Sequence, residues 1–562
     1  MTRLLMPVVQ SNSSAVPSSK PAPRATAPLR AALILSALYF LARFIGLFQS
    51  ALITALLPPF AADAYKYAFA LPDFLNYLVA GGAMSLTFIP LFSSLWDKGK
   101  EAQAWRFYSA LASLMGFVLV VLTALLMIFA PQIIVITKPG LASATKEGTF
   151  ETAVAMTRIM LPAQLFFYLG GLFSAVLNTF KRFGASGWTG ALYNSVAMIV
   201  AVPMWFASAP YGSSPHNPLS FSIGILMGAF IGNFLLPLIA LRTGPAAQRP
   251  RFSFRIDLAN PSVIRFFKLA IPIMIGVSFP VVDVWVVQFF TSDLPAGEFS
   301  RIDNANRLMI AAQGLLGQAA AVAAFPFLAS KVAVGDFRTF SEFLRTGLRR
   351  LLFITLPVSV LLVLWAEPIV SLIFGWGNFN RTAAIEDTAR CFAMFNVGLF
   401  AWGAQAFVAR GFYALGDTRT PTIYGTILTV LYIGLCAVLK KMGFGIAGLA
   451  FATSVGAAGQ FVGLLILLDH RLKNKRYNAP LGIDRIAGTL VRTFVSCFLM
   501  GVAGLLALLI ARPLVGETKG SQVLLLVWTG VVAIFVFTSS ASRFEIPEWA
   551  WLRDKFARRR AR

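Results

Sequence analysis

Apolar stretches of about twenty residues or more recur along the whole chain, and they limit its fold more than any motif does. A helix of that length crosses a hydrocarbon core about 30 Å thick. Because lipid offers no partners for backbone N–H and C=O groups, each stretch must satisfy those groups internally, as an α-helix does. The composition agrees, since 57% of the residues are hydrophobic and 13% are charged. The sequence therefore predicts an all-α polytopic membrane protein.

The apolar stretches predict fourteen transmembrane helices, in two lobes of six spans followed by two C-terminal spans. Their predicted bounds are 31–57, 64–95, 106–130, 151–180, 187–208, 219–241, 264–291, 299–329, 347–375, 386–414, 421–439, 444–468, 486–511 and 521–538. The chain then divides into a disordered cytosolic tail at 1–30, an N-lobe at 31–241, a cytosolic linker at 242–263, a C-lobe at 264–468, a cytosolic loop at 469–485, spans 13 and 14 at 486–540, and a basic cytosolic tail at 541–562.

The formal net charge of +25 indicates membrane topology rather than nucleic-acid binding. Lys and Arg cluster in the short connections that lie on one side of the predicted spans, and this asymmetry is typical of cytosolic loops. We therefore predict that both termini are cytosolic. The pair Lys440–Lys441 falls on the opposite side in this scheme. Cys391, Cys436 and Cys497 lie in or beside apolar spans and are predicted to be buried, without a disulfide or a metal.

Two segments of the first lobe return in the second. Residues 165–190 align with 398–422 when Phe180 is placed on Phe412, and residues 86–95 align with 324–333 when Pro90 is placed on Pro326. Six spans repeat as six spans, so both copies have the same orientation and are related by an axis along the membrane normal. Two such bundles can enclose a cavity that opens to either side in turn. This favours a transporter, although duplicated channels are the alternative.

The predicted span 299–329 begins with polar residues. Asp303, Asn306 and Arg307 stand three and four residues apart, so they share one face of a helix. An arginine within a span costs about 2.5–3.5 kcal/mol on insertion scales, and such residues usually face a water-filled cavity or a partner. The alternative is a structural pair in which Asp303 neutralises Arg307.

The first lobe carries a matching set of polar residues. Asp63, Lys66, Asp73 and Asn76 open its second span, and Arg43 lies in the middle of span 1. Guanidinium groups bind phosphate oxygens in bidentate geometry, so arginines from two facing lobes predict an anionic ligand. The alternative is that each arginine pairs with a nearby acid.

Asp283 in span 7 is a further intramembrane acid, and we predict that it is either an ion-coupling site or a structural acid. No nucleotide-binding loop or catalytic motif stands in a suitable context. We therefore expect no enzymatic activity, no cofactor and no metal.

Five runs of sequence resemble the MurJ/MviN family of lipid II flippases, within the multidrug/oligosaccharidyl-lipid/polysaccharide exporter superfamily. They are ARFIGLFQSALI, ADAYKYAFALPDFLNYLVAGGAMSLTFIPLF, VLNTFKRFGASGWTGALYN, NRLMIAAQGLLGQAAAVAAFP and GFYALGDTRTP, in the family's order between about residues 40 and 425. The resemblance implies a two-lobed inverted V, a groove for a lipid tail at spans 13 and 14, and movement of undecaprenyl-pyrophosphate-linked peptidoglycan precursor from the inner to the outer leaflet.

The predicted substrate-binding residues are Arg43, Gln49, Asp63, Asn76, Asn306 and Arg307. Of these, Arg43, Asp63 and Arg307 fall where the resemblance implies charged residues of the family's cavity. Several charges typical of the family are absent, because Gln49 replaces a basic residue, Asn76–Tyr77 a basic pair, and Gly81 and Asn306 acids. Three alternatives therefore stay open: a flippase for another lipid-linked oligosaccharide, a cation-coupled multidrug exporter, and a non-transporting scaffold of the cell-wall machinery.

The resemblance further implies a location in the bacterial cytoplasmic (inner) membrane. The expected partners are lipid II, membrane lipids and cell-wall synthesis proteins, with no nucleic acid.

Overall fold

The computed structural model describes residues 26–76, 87–143, 146–208, 216–380, 382–475, 477–514 and 518–560. Within these residues the chain is helical and contains no strand. Its helices are α1 (Thr26–Leu56), α2 (Pro59–Asn76), α3 (Ile89–Asp97), α4 (Glu101–Ile128), α5 (Ala130–Thr137), α6 (Glu147–Met160), α7 (Ala163–Thr179), α8 (Phe183–Ala207), α9 (Leu219–Gly228), α10 (Leu236–Arg242), α11 (Pro261–Thr291), α12 (Glu298–Gln313), α13 (Ala319–Ala333), α14 (Phe337–Leu364), α15 (Ala366–Phe374), α16 (Thr382–Val397), α17 (Leu399–Ala414), α18 (Arg419–Lys441), α19 (Gly445–Lys473), α20 (Ile483–Ala511), α21 (Lys519–Arg543) and α22 (Pro547–Arg560).

The predicted all-α membrane class is confirmed. Ten helical segments of the described residues are long and apolar enough to cross a membrane. In the described residues, each of the fourteen predicted spans coincides with a helix or with consecutive helices, and residues 77–86 of the second span lie outside the description. The number of membrane crossings stays a prediction. α1 begins at Thr26, inside the predicted tail at 1–30, because Pro28 is tolerated in the first turn and good helix formers follow it. Residues 1–25 lie outside the described residues.

Several predicted spans are built from two helices because certain residues interrupt the backbone hydrogen bonds of a continuous α-helix. Pro162 separates α6 from α7, since proline lacks the N–H that a continuous helix needs. Gly398 separates α16 from α17 at the corresponding position of the second lobe. A π-helical turn, Gly314–Gln318, joins α12 to α13. These interruptions allow one span to present polar and apolar segments in different directions.

The helices confirm the internal repeat. α1 and α11 each contain 31 residues, and α4 and α14 each contain 28. Short helices of 8 and 9 residues, α5 and α15, follow α4 and α14. α4 begins at Glu101 and α14 at Phe337, which is 236 residues later. The same order of long, short and broken helices therefore builds both lobes.

The structure corrects one detail of the predicted repeat. Just past the end of α7 the backbone turns through a left-handed conformation at Lys181 (φ 57°), and past α17 it does so at Gly416 (φ 75°). These turns are 235 residues apart, so Leu177, and not Phe180, is the counterpart of Phe412. The pairing by aromatic type was wrong because lysine fills the position in one lobe that glycine fills in the other.

Buried side chains show where the lobes meet. One apolar cluster combines residues of both lobes, among them Tyr67 from α2, Phe299 from α12 and Phe374 from α15. Two other clusters each belong mainly to one lobe: the first lies around α4 and α7 with the start of α11, and the second lies around α14, α17 and α19. The shared cluster lies at the end of the lobes where α2 and α12 begin. Packing therefore joins the lobes at that end, which is the predicted external side.

The C-terminal tail forms a helix rather than an irregular segment. α22 contacts α14, where the Arg349 guanidinium lies 2.8 Å from a carboxylate oxygen of Glu548. The guanidinium of Arg350 lies 4.3 Å from the centre of a Trp551 ring. Basic and aromatic residues that follow a last span are typical of a helix at a membrane surface.

Lys440 also has a structural explanation for its unexpected side. Its Nζ donates to the backbone carbonyl of Phe290 at 2.9 Å and lies 2.5 Å from the carboxylate of Asp293. The lysine therefore satisfies a carbonyl at the end of α11, where a cation is favourable to the helix dipole. Local capping accounts for a basic residue that the charge asymmetry of the loops did not predict.

We expect Gly170→Ala to destabilise the N-lobe. A Cβ atom at Gly170 would lie 1.8 Å from the backbone oxygen of Asn233, so α7 and the turn before α10 would have to move apart. Overpacking of this kind costs about 1–3 kcal/mol. Thermal unfolding of the purified protein in detergent should show a lower midpoint. Gly171→Ala is the matched control, because a Cβ there meets nothing within 4 Å; equal midpoints for the two variants would contradict the prediction.

Candidate functional site

The candidate site lies where α1 and α2 of the N-lobe meet α12 of the C-lobe. Ser50 on α1 donates from its hydroxyl to Oδ1 of Asn304 at 3.0 Å. Both side chains are buried, and Asn304 is fully enclosed. This hydrogen bond joins the two lobes directly. It also fixes the position of α1 relative to α12 along the helix axes.

Lys66 of α2 adds a buried cation to the same contact. Its Nζ donates to Oδ1 of Asn304 at 2.6 Å and to the backbone carbonyl of Ser300 at 3.1 Å. It also lies 2.9 Å from Oδ2 of Asp303. An ammonium group has three N–H donors, so this buried lysine is fully satisfied by one helix of the other lobe. Such a charge is tolerated in a protein interior only because it is paired and hydrogen-bonded in this way.

Asp63, one turn before Lys66, accepts two backbone hydrogen bonds across the lobe interface. Its Oδ2 accepts from the N–H of Gly297 at 2.6 Å, and its Oδ1 accepts from the N–H of Ser300 at 2.7 Å. These N–H groups belong to the first turn of α12, which lacks intrahelical acceptors for them. A carboxylate at this position also complements the positive end of the helix dipole. Asp63 therefore caps a helix of the opposite lobe.

Arg307 shares a carboxylate with Lys66. Its Nε lies 2.8 Å from Oδ2 of Asp303, the same oxygen that contacts Lys66. The Arg307 side chain is 45% exposed, whereas that of Asp303 is 16% exposed. The recorded contact is made by Nε of the guanidinium. Asp73 on α2 is close enough to interact electrostatically with Arg307.

Arg43 lies on the same side of the interface. It is seven residues before Ser50 on α1, so it shares a helix face with the residue that contacts Asn304. Arg307 is three residues after Asn304 on α12, which runs in the opposite direction. Since α-helices rise 1.5 Å per residue, Arg43 lies about 10 Å and Arg307 about 4.5 Å along its helix from the Ser50–Asn304 contact, both towards the predicted cytosolic side. Arg43 is exposed, and it forms no ion pair with any described residue.

The other predicted binding residues have different surroundings. Gln49 is buried, and Asn76 and Asn306 are partly buried. Asp63 is 3% exposed and faces the interface rather than the open space. The side chain of Asp283, the proposed ion-coupling group, lies outside the described part of the structure, as do Tyr77 and Gly81. The structure thus brings Arg43 and Arg307 to one side of a sealed interface, and the assignment of substrate contacts stays a prediction.

Sequence reasoning did not assign a role to Lys66, Asn304 or Ser50. Lys66 was recognised as a polar residue of the second span, but its partners lie 234 to 238 positions away in the sequence. The sequence does contain a signal, because Lys66 lies in the otherwise uncharged run AYKYAFA. Burial of a lysine there is costly unless an acid pairs with it. Asn304 could have been predicted as a site residue, because it lies between Asp303 and the polar pair Asn306 and Arg307.

This architecture and its charged interior define a class of protein. Two like helical lobes joined at one end, with arginines of both lobes beyond the joint, are typical of transporters that alternate access between the two faces of a membrane. A solved structure described as a lipid II flippase MurJ in an inward closed conformation matches with a TM-score of 0.70 at 22% identity, covering 91% of this chain and 98% of that one. An inward-facing multidrug MATE transporter matches with a TM-score of 0.63 at 12% identity, over 77% of this chain and 96% of that one.

The sequence identifies the family within this class. A model of the lipid II flippase MurJ family matches residues 53–517, so the chain belongs to that family. The probable lipid II flippase MurJ of Vibrio cholerae is 27% identical over 435 residues, which are 76% of this chain and 80% of that protein. The lipid II flippase MurJ of Burkholderia cenocepacia is 28% identical over 433 residues, which are 76% and 81%. The predicted resemblance is confirmed.

Proposed function

We propose that this protein moves lipid II from the inner to the outer leaflet of the bacterial cytoplasmic membrane by alternating access. The observation that carries the proposal is the position of Arg43 and Arg307, from opposite lobes, on the predicted cytosolic side of the Ser50–Asn304 contact. Lipid II presents a pyrophosphate at its head, and paired guanidinium groups bind such oxygens through charge-assisted hydrogen bonds. The family assignment supplies the substrate class, and the site supplies the chemistry that recognises it.

In the proposed cycle, the head group enters between the lobes from the cytosolic side and its pyrophosphate contacts Arg43 and the terminal amino groups of Arg307. Asn306, Asn76 and Gln49 supply polar surface nearby for orientation. Opening the external side then requires the Asp63 cap and the Lys66 contacts to break. The head group would leave towards the outer leaflet once these contacts have separated. Asp63 acts in this scheme through lobe closure, and the predicted direct contact with substrate is a second role.

The lipid tail needs an apolar surface that follows the head group. α20 and α21 pack against each other and against α14 and α15, and both expose large apolar side chains on the outside. An apolar cavity of about 250 Å³ lies between their ends, lined by Ile510, Ala511, Leu514, Leu524, Leu525 and Trp528. We assign this surface to the prenyl tail. The resemblance to the family implies a lipid-tail groove at the same two spans.

The proposed orientation places both termini in the cytosol. Arg543 at the end of α21 and the basic helix α22 then lie at the inner leaflet, whose anionic lipids attract cations. The shared cluster and Lys440 lie on the external side. Cell-wall synthesis enzymes that consume lipid II are the proposed protein partners.

We expect Arg307→Ala to abolish complementation of a bacterium depleted of its own lipid II flippase, while the variant still inserts into the membrane. Removing a charge-assisted contact to phosphate costs about 1.5–3 kcal/mol of substrate affinity, which is roughly a 10- to 150-fold loss. Growth of the depleted strain, and labelling of lipid II by an external probe, are the measurements.

Arg390→Ala is the matched control, because Arg390 also contacts a carboxylate four residues before it, Glu386, but its side chain is 62% exposed and lies on α16, outside the contacts between α1, α2 and α12. Normal growth with Arg307→Ala would argue against the two-arginine site. Normal labelling of another exported lipid-linked glycan, with no change in lipid II, would favour the alternative substrate.

A further inference from the structure

A polar cavity lies outside the interface between the lobes. It has a volume of about 500 Å³, within the range of ligand pockets in general. It is formed by the first turns of α14, the connection after α19 and the start of α20. Its lining consists of Arg338, Ser341, Glu342, Arg345, Asn478, Ala479, Pro480 and Arg485.

Three arginines of this lining have no counter-charge. Arg338 and Arg345 are seven residues apart on α14 and therefore lie on one face of that helix. Arg485 is in the first turn of α20. In the described residues, none of the three lies within 4.0 Å of a carboxylate, unlike Arg349 one turn further along α14, which pairs with Glu548. Arg338 and Arg485 also stand at helix N-termini, where a cation is unfavourable to the dipole.

The acids near the cavity do not neutralise it. Glu342 lines the cavity but makes no ion pair. Asp336 is engaged elsewhere, because it accepts from the backbone N–H of Thr339 at 3.1 Å and lies 3.3 Å from Lys331. Asp484 is exposed beside Arg485 and forms no ion pair with a described residue. Three cations against one lining carboxylate leave the cavity positively charged.

Hydrogen bonds fix the connection between α19 and α20 that lines the cavity. The hydroxyl of Ser341 donates to the carbonyl of Pro480 at 2.9 Å, which ties the connection to α14. The N–H of Leu481 donates to the buried carboxylate of Asp469 at 2.8 Å. The aliphatic part of Arg345 also lines an apolar cavity beneath, so its guanidinium is the part that reaches the polar space. The arginines are therefore presented by a fixed scaffold rather than by a loose loop.

The cavity also lies at a particular depth. The predicted spans begin at residue 347 on α14 and at residue 486 on α20, immediately after Arg345 and Arg485. The arginines thus stand at the boundary between lipid and water, on the side predicted to be cytosolic. At this boundary the phosphates of membrane lipids are the most concentrated anions, and basic pockets between helices bind lipid head groups there.

We propose that this cavity binds the phosphate head group of an anionic membrane lipid of the inner leaflet, through Arg338, Arg345 and Arg485. The chemistry could serve an ordinary phospholipid or a polyprenyl pyrophosphate, since both present phosphate oxygens to the same guanidinium groups. The site is separate from Arg43 and Arg307, so it does not depend on the function proposed above.

Native mass spectrometry of the full chain, delipidated in neutral detergent, tests the proposal. Phosphatidylglycerol should be retained by the wild type, and Arg338→Gln/Arg345→Gln/Arg485→Gln should weaken its binding more than tenfold, because three charge-assisted donors are lost. Arg106→Gln/Arg242→Gln/Arg265→Gln is the matched control. It removes three exposed arginines predicted to lie at the same membrane surface and should bind as the wild type does.

Two further measurements identify which lipid the cavity binds and control for misfolding of the Gln triple variant. Displacement of phosphatidylglycerol by equimolar undecaprenyl pyrophosphate would assign the pocket to the prenyl-linked lipid, and no displacement would assign it to phospholipid. The Arg→Lys triple variant keeps the charge and should bind with intermediate affinity, so it decides the question if the Gln triple does not purify. Equal binding by the Gln triple and its control, or binding of inorganic phosphate without lipid, would overturn the proposal.

Discussion

Asp63→Asn should shift the protein towards conformations in which the lobes are apart at the external end. The asparagine keeps the volume of the side chain, but it replaces one acceptor oxygen with an NH₂ group that faces a backbone N–H of α12. One of the two cross-lobe hydrogen bonds is then lost and the other loses its charge. We expect a cost of about 2–4 kcal/mol to the joined state, which is roughly a 30- to 1,000-fold change in the ratio of the two populations.

Distances between spin labels at Ala142 and Met442 measure this shift. Both residues are exposed, they belong to different lobes, and both lie at the end where the shared cluster is found. The native cysteines are buried and should not react with the label. Asp97→Asn is the control, because Asp97 is exposed and makes no ion pair in the described residues. An unchanged distance distribution for Asp63→Asn would show that the cap does not hold the lobes together.

Lys66→Met should have the second large effect. It removes the ammonium group that satisfies Asp303, Asn304 and the carbonyl of Ser300, and it leaves their polar atoms buried. Breaking a buried ion pair by removal of one partner costs about 3–5 kcal/mol when the remaining charge is left uncompensated. Asp303 keeps its contact with Arg307 at 2.8 Å, so we expect a cost at or below the lower end of this range. We expect a lower midpoint of thermal unfolding in detergent, together with loss of complementation.

The double variant Lys66→Met/Asp303→Asn separates the loss of stability from the loss of function. It removes both charges, so part of the lost stability should return if an uncompensated carboxylate is the source of the cost. Function should not return, because Arg307 then has no carboxylate to orient it. If Lys66→Met alone unfolds at the wild-type midpoint, the buried network contributes nothing to the joined state.

The fold could be predicted from local properties of the sequence. Span length, loop charge and the repeated segments depend on residues near each other, and these led to the helical class and the family. The repeat was placed three residues out of register at α17, because the left-handed turn is Lys181 in one lobe and Gly416 in the other. Residue type alone could not show that the two positions have the same backbone conformation.

The candidate site was predicted less completely, for a physical reason. Arg43 and Arg307 were found because a cation in an apolar span is conspicuous on its own. The partners of Asp63 are backbone N–H groups at Gly297 and Ser300, and no side-chain pattern reveals that a carboxylate will cap a helix more than 230 residues away. Which charge in such a set is neutralised depends on distances between lobes. Only the folded structure supplies those distances.

The single oxygen of Asp303 that serves both Lys66 and Arg307 has a consequence for release. While the lobes touch at this end, one negative charge is divided between two positive ones, and the group as a whole attracts an anion. Once Lys66 moves away with its own lobe, the same carboxylate is left to Arg307 alone and cancels it. Separation of the lobes would thereby weaken binding of the anionic substrate as the external side opens.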